Sequence, residues 1–203
     1  LLLLVLWVWV ACFTAASHNY MFKHLEVKDG LSNNQVNAIY KDSHGFMWFG
    51  TASGLNRYDG YDTRIYRSLK DDGNSLPDSY IEDIQEDATG NLWVRTGAGY
   101  AIYNSVSDIF DRNVEGWMWH IGISGNPSTV YIDSEKIFWI YVAGKGIYCY
   151  KPGQENAVMV AGTDTLLTEM NITDMTECSE GILLAFGNGV LACLDREKLN
   201  VKW

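Results

Sequence analysis

The chain has 203 residues, of which 47% are apolar and 20% are charged, a composition typical of a globular protein with a buried core. Its formal net charge is −10, with 25 acidic residues against 15 basic ones. This balance argues against a nucleic-acid partner, which requires a clustered positive surface, and it disfavours an anionic ligand.

The first predicted element is an apolar segment at the start of the sequence. Leu1–Phe13 contains no charged residue, and the small residues Thr14–Ser17 follow it. This length suits the core of a signal peptide and is short for a bilayer span, which needs about 20 residues. We predict that residues 1–17 are a signal peptide lacking its first part and cleaved near Ala16 or Ser17, so that the protein is exported. Lipoprotein processing at Cys12 and a retained anchor are the alternatives.

A repeat of about 45 residues follows this segment. Trp48, Trp93, Trp139 and Leu183 occupy the same place in four successive copies, at spacings of 45, 46 and 44 residues. The repeat cores cover about 31–66, 76–113, 123–160 and 167–203. The positions that define the repeat are Asp42, Gly45, Trp48, Gly54 and Tyr58, then Asp87, Gly90, Trp93, Gly99 and Tyr103, and then Asp133, Trp139, Gly146 and Tyr150.

Each copy predicts short strands joined by turns. In the first copy the strands are Val36–Tyr40, Phe46–Thr51, Leu55–Tyr58 and Tyr61–Tyr66. Four antiparallel strands in a repeat of this length are typical of a β-propeller blade. We predict an all-β fold of four blades over residues 18–203, with no helix beyond the signal. Because four blades are few for a closed ring, we expect an open part of a larger propeller.

The repeated residues have predicted structural roles. We expect the tryptophans of the first three copies to fill the wedge between neighbouring blades. In each turn the Asp carboxylate can accept hydrogen bonds from nearby backbone N–H groups, and the Gly can take the positive φ that closes the turn.

Three segments of the first copy resemble the two-component-regulator propeller repeat. They are residues 30–34 (GLSNN), 42–51 (DSHGFMWFGT) and 54–60 (GLNRYDG). The second copy keeps the Asp, Gly and Trp positions, but it has Arg95 where the repeat has Gly. The third and fourth copies agree with the repeat mainly in their spacing.

This resemblance implies a sensor. Such repeats form the periplasmic part of membrane sensor histidine kinases, often hybrid kinases of Bacteroides-type bacteria that respond to oligosaccharides and start a phosphorelay. The resemblance implies further blades in the same parent chain, a membrane span, cytoplasmic kinase domains and a homodimeric receptor. The catalytic motifs of a kinase are absent from this sequence, so the segment itself is predicted not to be an enzyme.

One segment has no counterpart in the first copy and is a candidate ligand site. It is Val114–His120, with the sequence VEGWMWH. On a strand, Trp117 and Trp119 would point to the same side beside His120, and aromatic faces of this kind commonly hold sugars. The alternative is that both tryptophans are packed in a blade.

The remaining chemistry-bearing residues predict neither a metal site nor a cofactor. Cys149, Cys178 and Cys193 are odd in number and widely spaced, which favours buried thiols. The loop that starts at Asp111 begins like a calcium loop, but Gly122 stands where the bidentate Glu would be required. The acidic pairs Glu82/Asp83 and Glu86/Asp87 are expected to face water.

Two other classes of function stay open. An exported propeller enzyme, such as a lyase or a glycosidase, would need paired carboxylates or a His-containing constellation, and the sequence has no clear one. A carbohydrate-binding or scaffold propeller would need no catalytic residues at all.

Overall fold

The computed structural model describes residues 22, 24–160 and 171–202. The predicted signal peptide, residues 1–17, lies outside the described residues, as do residues 167–170 and 203 of the fourth repeat. The described chain forms four antiparallel sheets of four strands each, arranged as the blades of a β-propeller. The predicted all-β propeller fold is confirmed.

Within each sheet the strands lie side by side in chain order. The first sheet contains β1 (Val36–Lys41), β2 (Met47–Thr51), β3 (Gly54–Tyr58) and β4 (Thr63–Tyr66). The second contains β5 (Ile81–Glu86), β6 (Leu92–Thr96), β7 (Gly99–Asn104) and β8 (Ile109–Asp111). The third contains β9 (Thr129–Ile132), β10 (Phe138–Val142), β11 (Gly146–Tyr150) and β12 (Val158–Met159). The fourth contains β13 (Ile172–Cys178), β14 (Gly181–Phe186), β15 (Leu191–Asp195) and β16 (Asn200–Lys202).

The first strand of each sheet lies on the inner side of the arc, where β1, β5, β9 and β13 contact one another in this order. The strands β1, β5 and β13 each contain a register shift near their start. The strand β9 has only four residues and no such shift. The third blade therefore lacks the first part of the inner strand that its neighbours have.

Over the ranges that the structure describes, two helical segments accompany the sheets. A short 3-10 helix covers Val27–Asp29, and an α-helix, α1, covers Val114–His120. The prediction of no helix beyond the signal was therefore wrong. Within the described ranges, no helix has the length and apolar content needed to cross a bilayer.

Among the described residues the apolar core divides into three clusters, one at each interface between consecutive sheets. We call these the first, second and third interfaces in chain order. Trp48, Trp93 and Trp139 are buried, one in each interface, and each packs towards the blade that follows. Burial of a large aromatic side chain at each interface supplies much of the apolar area that holds neighbouring blades together.

The Asp and Trp of each repeat are joined by a hydrogen bond that sequence reasoning missed. Trp48 Nε1 donates to Asp42 Oδ2 over 2.7 Å, while Asp42 Oδ1 accepts from the backbone N–H of Phe46 over 2.9 Å. The same Trp-to-Asp bond is 3.2 Å in the second blade and 3.0 Å in the third. In the fourth blade the strand register places Cys178 and Leu183 at the positions of Asp42 and Trp48, so this hydrogen bond is not made there.

Serine–glutamate contacts close two of the three interfaces. Glu86 on β5 accepts from the backbone N–H of Ser43 over 3.0 Å and from its hydroxyl over 2.6 Å. Glu177 on β13 makes the same two contacts with Ser134, over 3.0 and 2.9 Å. The expectation that Glu86 and Asp87 face water was wrong, because both are buried, and Glu86 is only 5% exposed. Their oxygens instead satisfy turn N–H groups, which keeps a buried carboxylate favourable.

The first blade has one uncovered apolar face. Ile39 on β1 occupies the register position of Ile84, Val130 and Met175 in the other sheets. Those three residues are 2–3% exposed because a preceding blade covers them, whereas Ile39 is 63% exposed. Within the described residues, none of the three core clusters joins the fourth sheet to the first.

The three described cysteines are free thiols. Cys149 is buried, as expected, and burial is the main cause that raises the pKa of its thiol to about 11. Cys178 and Cys193 are only partly buried, which departs from the expectation. They lie in the fourth sheet, whose far face has no blade packed on it among the described residues.

Candidate functional site

The segment predicted as a ligand-binding strand is the helix α1. It begins after Asn113, whose side-chain oxygen accepts from the backbone N–H of Gly116 over 3.1 Å and so caps the first turn. Val114 and Met118, four residues apart, point into the core. The strand prediction was wrong because the alternating tryptophans imitate a period of two, while the apolar residues of the segment follow the helical period.

Trp117 is part of the second interface and not of an open surface. Its ring lies 4.6 Å from that of Trp93, 5.1 Å from Phe138 and 5.8 Å from Tyr150, measured between centroids. At the first interface Tyr66 makes the equivalent contacts, with centroids 5.9 Å from Trp48 and 5.6 Å from Tyr103. The helix α1 therefore places the Trp117 ring between the second and third blades, in the position that Tyr66 of the outer strand occupies between the first and second.

Trp119 and His120 lie on the other side of α1. Residues two apart on a helix point about 200° apart. Trp117 and Trp119 therefore lie on different faces, and the prediction that they share one was wrong. Trp119 is 72% exposed, and the His120 Nδ1 lies 2.7 Å from the backbone oxygen of Gly116. A ligand contact by Trp117, Trp119 and His120 stays a prediction.

A second candidate place is a polar cavity on the inner side of the arc, with a volume of about 390 Å³. We call it the inner cavity. It is lined by the second, third and fourth sheets, including Glu82, Asp83, Arg95, Thr129, Tyr131 and Asp174. Arg95 Nε lies 2.8 Å from Glu82 Oε2, and both side chains are about one-third exposed to solvent. The lining can offer hydrogen bonds of both directions to a ligand.

A third candidate place is a cavity of about 490 Å³ beside the third interface, at the turns that join β9 to β10, β13 to β14 and β15 to β16. Its one arginine, Arg196, is already engaged by Glu177 and by Glu135, the latter over 3.0 Å. The hydrogen bond from Arg196, followed by those from Ser134, lowers the pKa of Glu177 to about 2. This network links the third blade to the fourth, so its charged groups serve packing between blades.

Among the residues that the structure describes, no three His, Cys, Asp or Glu side chains converge on a position for a metal ion. His24, His44 and His120 are far apart in sequence, and of the three only His120 lies within a helix or strand.

Comparison with known protein families shows which class of propeller repeat the chain matches. The sequence model of the family described as two component regulator propeller matches residues 30–53 and 75–98, which lie at the start of the first and second blades. The chain therefore carries regulator-propeller repeats, as the resemblance indicated. A curated relative, histidine kinase P4 of Formosa agariphila, is 41% identical over 62 residues, which cover 30% of this chain and 4% of the kinase.

Two solved structures from B. thetaiotaomicron share the fold. The extracellular domain described as that of a hybrid two-component system matches with a TM-score of 0.65 and 22% identity, over 90% of this chain and 26% of that one. The extracellular domain described as that of a one-component system matches with a TM-score of 0.51 and 18% identity, over 85% and 30% of the two chains. This chain thus spans less than a third of either relative, and the likeness at these identities is one of fold.

Proposed function

We propose that this chain is the extracytoplasmic, ligand-sensing propeller segment of a two-component sensor histidine kinase. The observation that carries the proposal is the pair of regulator-propeller repeats in the first two blades, together with the match to a histidine kinase. In this proposal the parent chain is a periplasmic and membrane protein, it responds to oligosaccharides, and it passes the signal to a phosphorelay.

A binding role fits the chemistry better than catalysis does. The polar groups that gather inside the described blades are engaged in packing: Asp42 with Trp48, Glu86 with Ser43, and Glu177 with Arg196. A hydrolase would need a carboxylate pair left open to a substrate, with one member holding a proton near neutral pH. The inner cavity instead pairs a carboxylate with a guanidinium, which suits hydrogen bonding to hydroxyl groups.

Further blades of the parent chain are proposed to cover the first blade. Ile39 is the only member of its register row that is exposed within the described sheets, and Phe49 on the same face is partly exposed while Val94 and Ile140 are buried. An apolar face of this kind is normally covered in a soluble protein. A blade of the same repeat presents the complementary surface, as it does at the three interfaces described here.

Signalling is proposed to act through rigid blades. The three interfaces are closed by aromatic packing and by buried hydrogen bonds, so a ligand is not expected to refold a blade. It would instead favour one packing of whole domains or of two receptor subunits over another. The size of that bias is limited by the difference in ligand affinity between the two arrangements.

The test uses the complete receptor in membranes. Oligosaccharides prepared from several polysaccharides are titrated by calorimetry and, in parallel, the autophosphorylation rate is measured. We expect one class of oligosaccharide to bind and to change the rate, and Trp119→Ala to weaken its binding without unfolding the protein. If a ligand binds and is chemically converted by the propeller, the enzyme alternative is correct instead.

A further inference from the structure

We propose that the inner cavity is a binding site for a polyhydroxylated ligand that is uncharged or positively charged, with Arg95 and Glu82 as its main hydrogen-bonding groups. This inference rests on the proposed sensor function and names the place and the charge class of the ligand. The observations behind it are departures from the repeat that converge on this cavity.

The first departure is at the register position of Arg95. Gly50, Tyr141 and Ala185 occupy that position in the other three sheets. At the first interface the position must be small, because a Cβ on Gly50 would lie 2.6 Å from Ile81 Cγ2 of the next blade. In the second blade a long cationic side chain takes the position of Gly50, and Arg95 is the one charged residue among the four that share this register position.

The second departure is the residue opposite. Arg95 pairs in register with Asp83, whereas Gly50 pairs with Ala38. Glu82 is the residue at the register shift of β5, between Ile81 and Asp83. Its Oε2 lies 2.8 Å from Arg95 Nε, so a second carboxylate stands beside the guanidinium. Where the first blade has the small residues Gly50 and Ala38, the second blade therefore has three charged residues, Arg95, Asp83 and Glu82.

The third departure makes room for these charges. At the first interface Ile81 fills the space over Gly50, and Ile172 is the equivalent buried residue of the fourth sheet. The third sheet has no strand residue at that position, because β9 begins at Thr129. The chain preceding it, residues 121–128, forms turns and bends with Gly122 and Gly125 at positive φ. The missing strand segment leaves the inner cavity beside Arg95.

The chemistry of the lining defines the ligand. The guanidinium of Arg95 can donate to one hydroxyl of a ligand while the carboxylate of Glu82 accepts from the neighbouring hydroxyl, an arrangement that suits a vicinal diol. Asp174 adds a carboxylate from the fourth blade, while the lining hydroxyls of Thr129 and Tyr131 already contact the backbone oxygen of Ile172 and the backbone N–H of Glu177. Three carboxylates against one guanidinium repel an anion, so neutral or amino sugars fit and uronic acids do not.

The experiment compares two arginines in the complete receptor. Arg95→Ala and Glu82→Gln are tested beside Arg64→Ala, which also breaks an Arg–carboxylate ion pair, with Asp108, but at the outer rim. The probes are neutral xylo-, manno- and cello-oligosaccharides, chitosan oligosaccharides, and oligogalacturonides as the anionic set. Binding is measured by calorimetry, and folding is checked by thermal melting.

We expect a neutral or amino-sugar probe to bind the parent receptor, Arg95→Ala and Glu82→Gln to weaken it by about tenfold or more, and Arg64→Ala to bind as the parent does. If such a probe binds and activates the receptor but Arg95→Ala binds it normally, the cavity assignment is wrong while the sensor proposal stands. If oligogalacturonides bind at the cavity more tightly than neutral probes, the charge class is wrong. If no probe binds or activates the parent receptor, both this site and the oligosaccharide proposal are rejected.

Discussion

The first and second interfaces are built from the same repeat, yet they are completed in different ways. At the first, Tyr66 from the outer strand stacks near Trp48, and Glu86 accepts from Ser43 at the turn. At the second, the ring comes from α1 through Trp117, and Ala88 and Ile132 stand at the positions of Ser43 and Glu86. We call the first interface regular, because it is completed by residues of the repeat itself. We call the second interface irregular, because it is completed by the helix α1 that lies outside the repeat.

The second interface keeps its own polar contacts in place of the serine–glutamate pair. Gln85 Nε2 donates to the backbone oxygen of Val130 over 3.0 Å, and its Oε1 accepts from the N–H of Ile132 over 2.5 Å. Lys136 Nζ also donates to the backbone oxygen of Glu86 over 2.9 Å. The interface is therefore closed near these groups, and the inner cavity lies beside the short strand β9.

The largest expected effect is at the regular interface. Trp48→Ala in the complete receptor should lower the free energy of unfolding by about 3–5 kcal/mol, because it removes a fully buried ring and leaves a cavity. Chemical denaturation measures the change. Loss of ligand response with unchanged stability would instead mean that this tryptophan contacts the ligand.

At the irregular interface, Trp117→Ala should lower the free energy of unfolding by about 2 kcal/mol. This is less than for Trp48→Ala because the Trp117 ring is only partly buried. Trp119→Ala is the matched control on the same helix and should change stability by no more than about 0.5 kcal/mol. Equal effects of the two substitutions on the melting temperature would contradict the assignment of Trp117 to the interface.

Glu86→Ala should destabilise the first interface by about 1–3 kcal/mol, because it leaves the N–H and hydroxyl of Ser43 without their acceptor. Glu155→Ala, at an exposed carboxylate, is the control and should have almost no effect. A double-mutant cycle with Ser43→Ala isolates the contact, and an interaction energy near zero would show that the pair does not hold the blades together.

A smaller effect is expected from pH at the third interface, which repeats the serine–glutamate pattern of the first. The hydrogen bond from Arg196 is the largest cause that lowers the pKa of Glu177, from its ordinary value of 4.5 to about 2. The contribution of the Glu177 carboxylate to folding stability is therefore complete above about pH 4.5 and is lost as the pH falls towards 2. Glu177→Gln should flatten the fall in melting temperature over that range, and an unchanged pH profile would contradict it.

Much of the fold could be predicted because the repeat is visible in single residues. Asp42, Trp48 and Gly54 recur at a fixed period, and each is required locally: a turn cap, an interface ring and a glycine at positive φ. The helix α1 was missed although its signals were present, namely the cap at Asn113 and apolar residues at Val114, Trp117 and Met118.

The inner cavity could not have been predicted from the sequence. Arg95 in the place of glycine was visible, but its meaning depends on the late start of β9 and on side chains from three blades. The buried state of Glu86 was missed for a similar reason, because its partner Ser43 belongs to the preceding repeat. Contacts between repeats are set by blade packing, which the pattern of one repeat does not contain.

The central claim is that regular interfaces support the fold while the irregular second interface binds the ligand. Hydrogen exchange of the complete receptor, with and without an oligosaccharide that activates it, tests this most directly. We expect the ligand to slow exchange in Ile81–Glu86 and Thr129–Ile132, and to leave Met47–Thr51 unchanged. Protection confined to the first blade, with no change around Arg95, would contradict the claim.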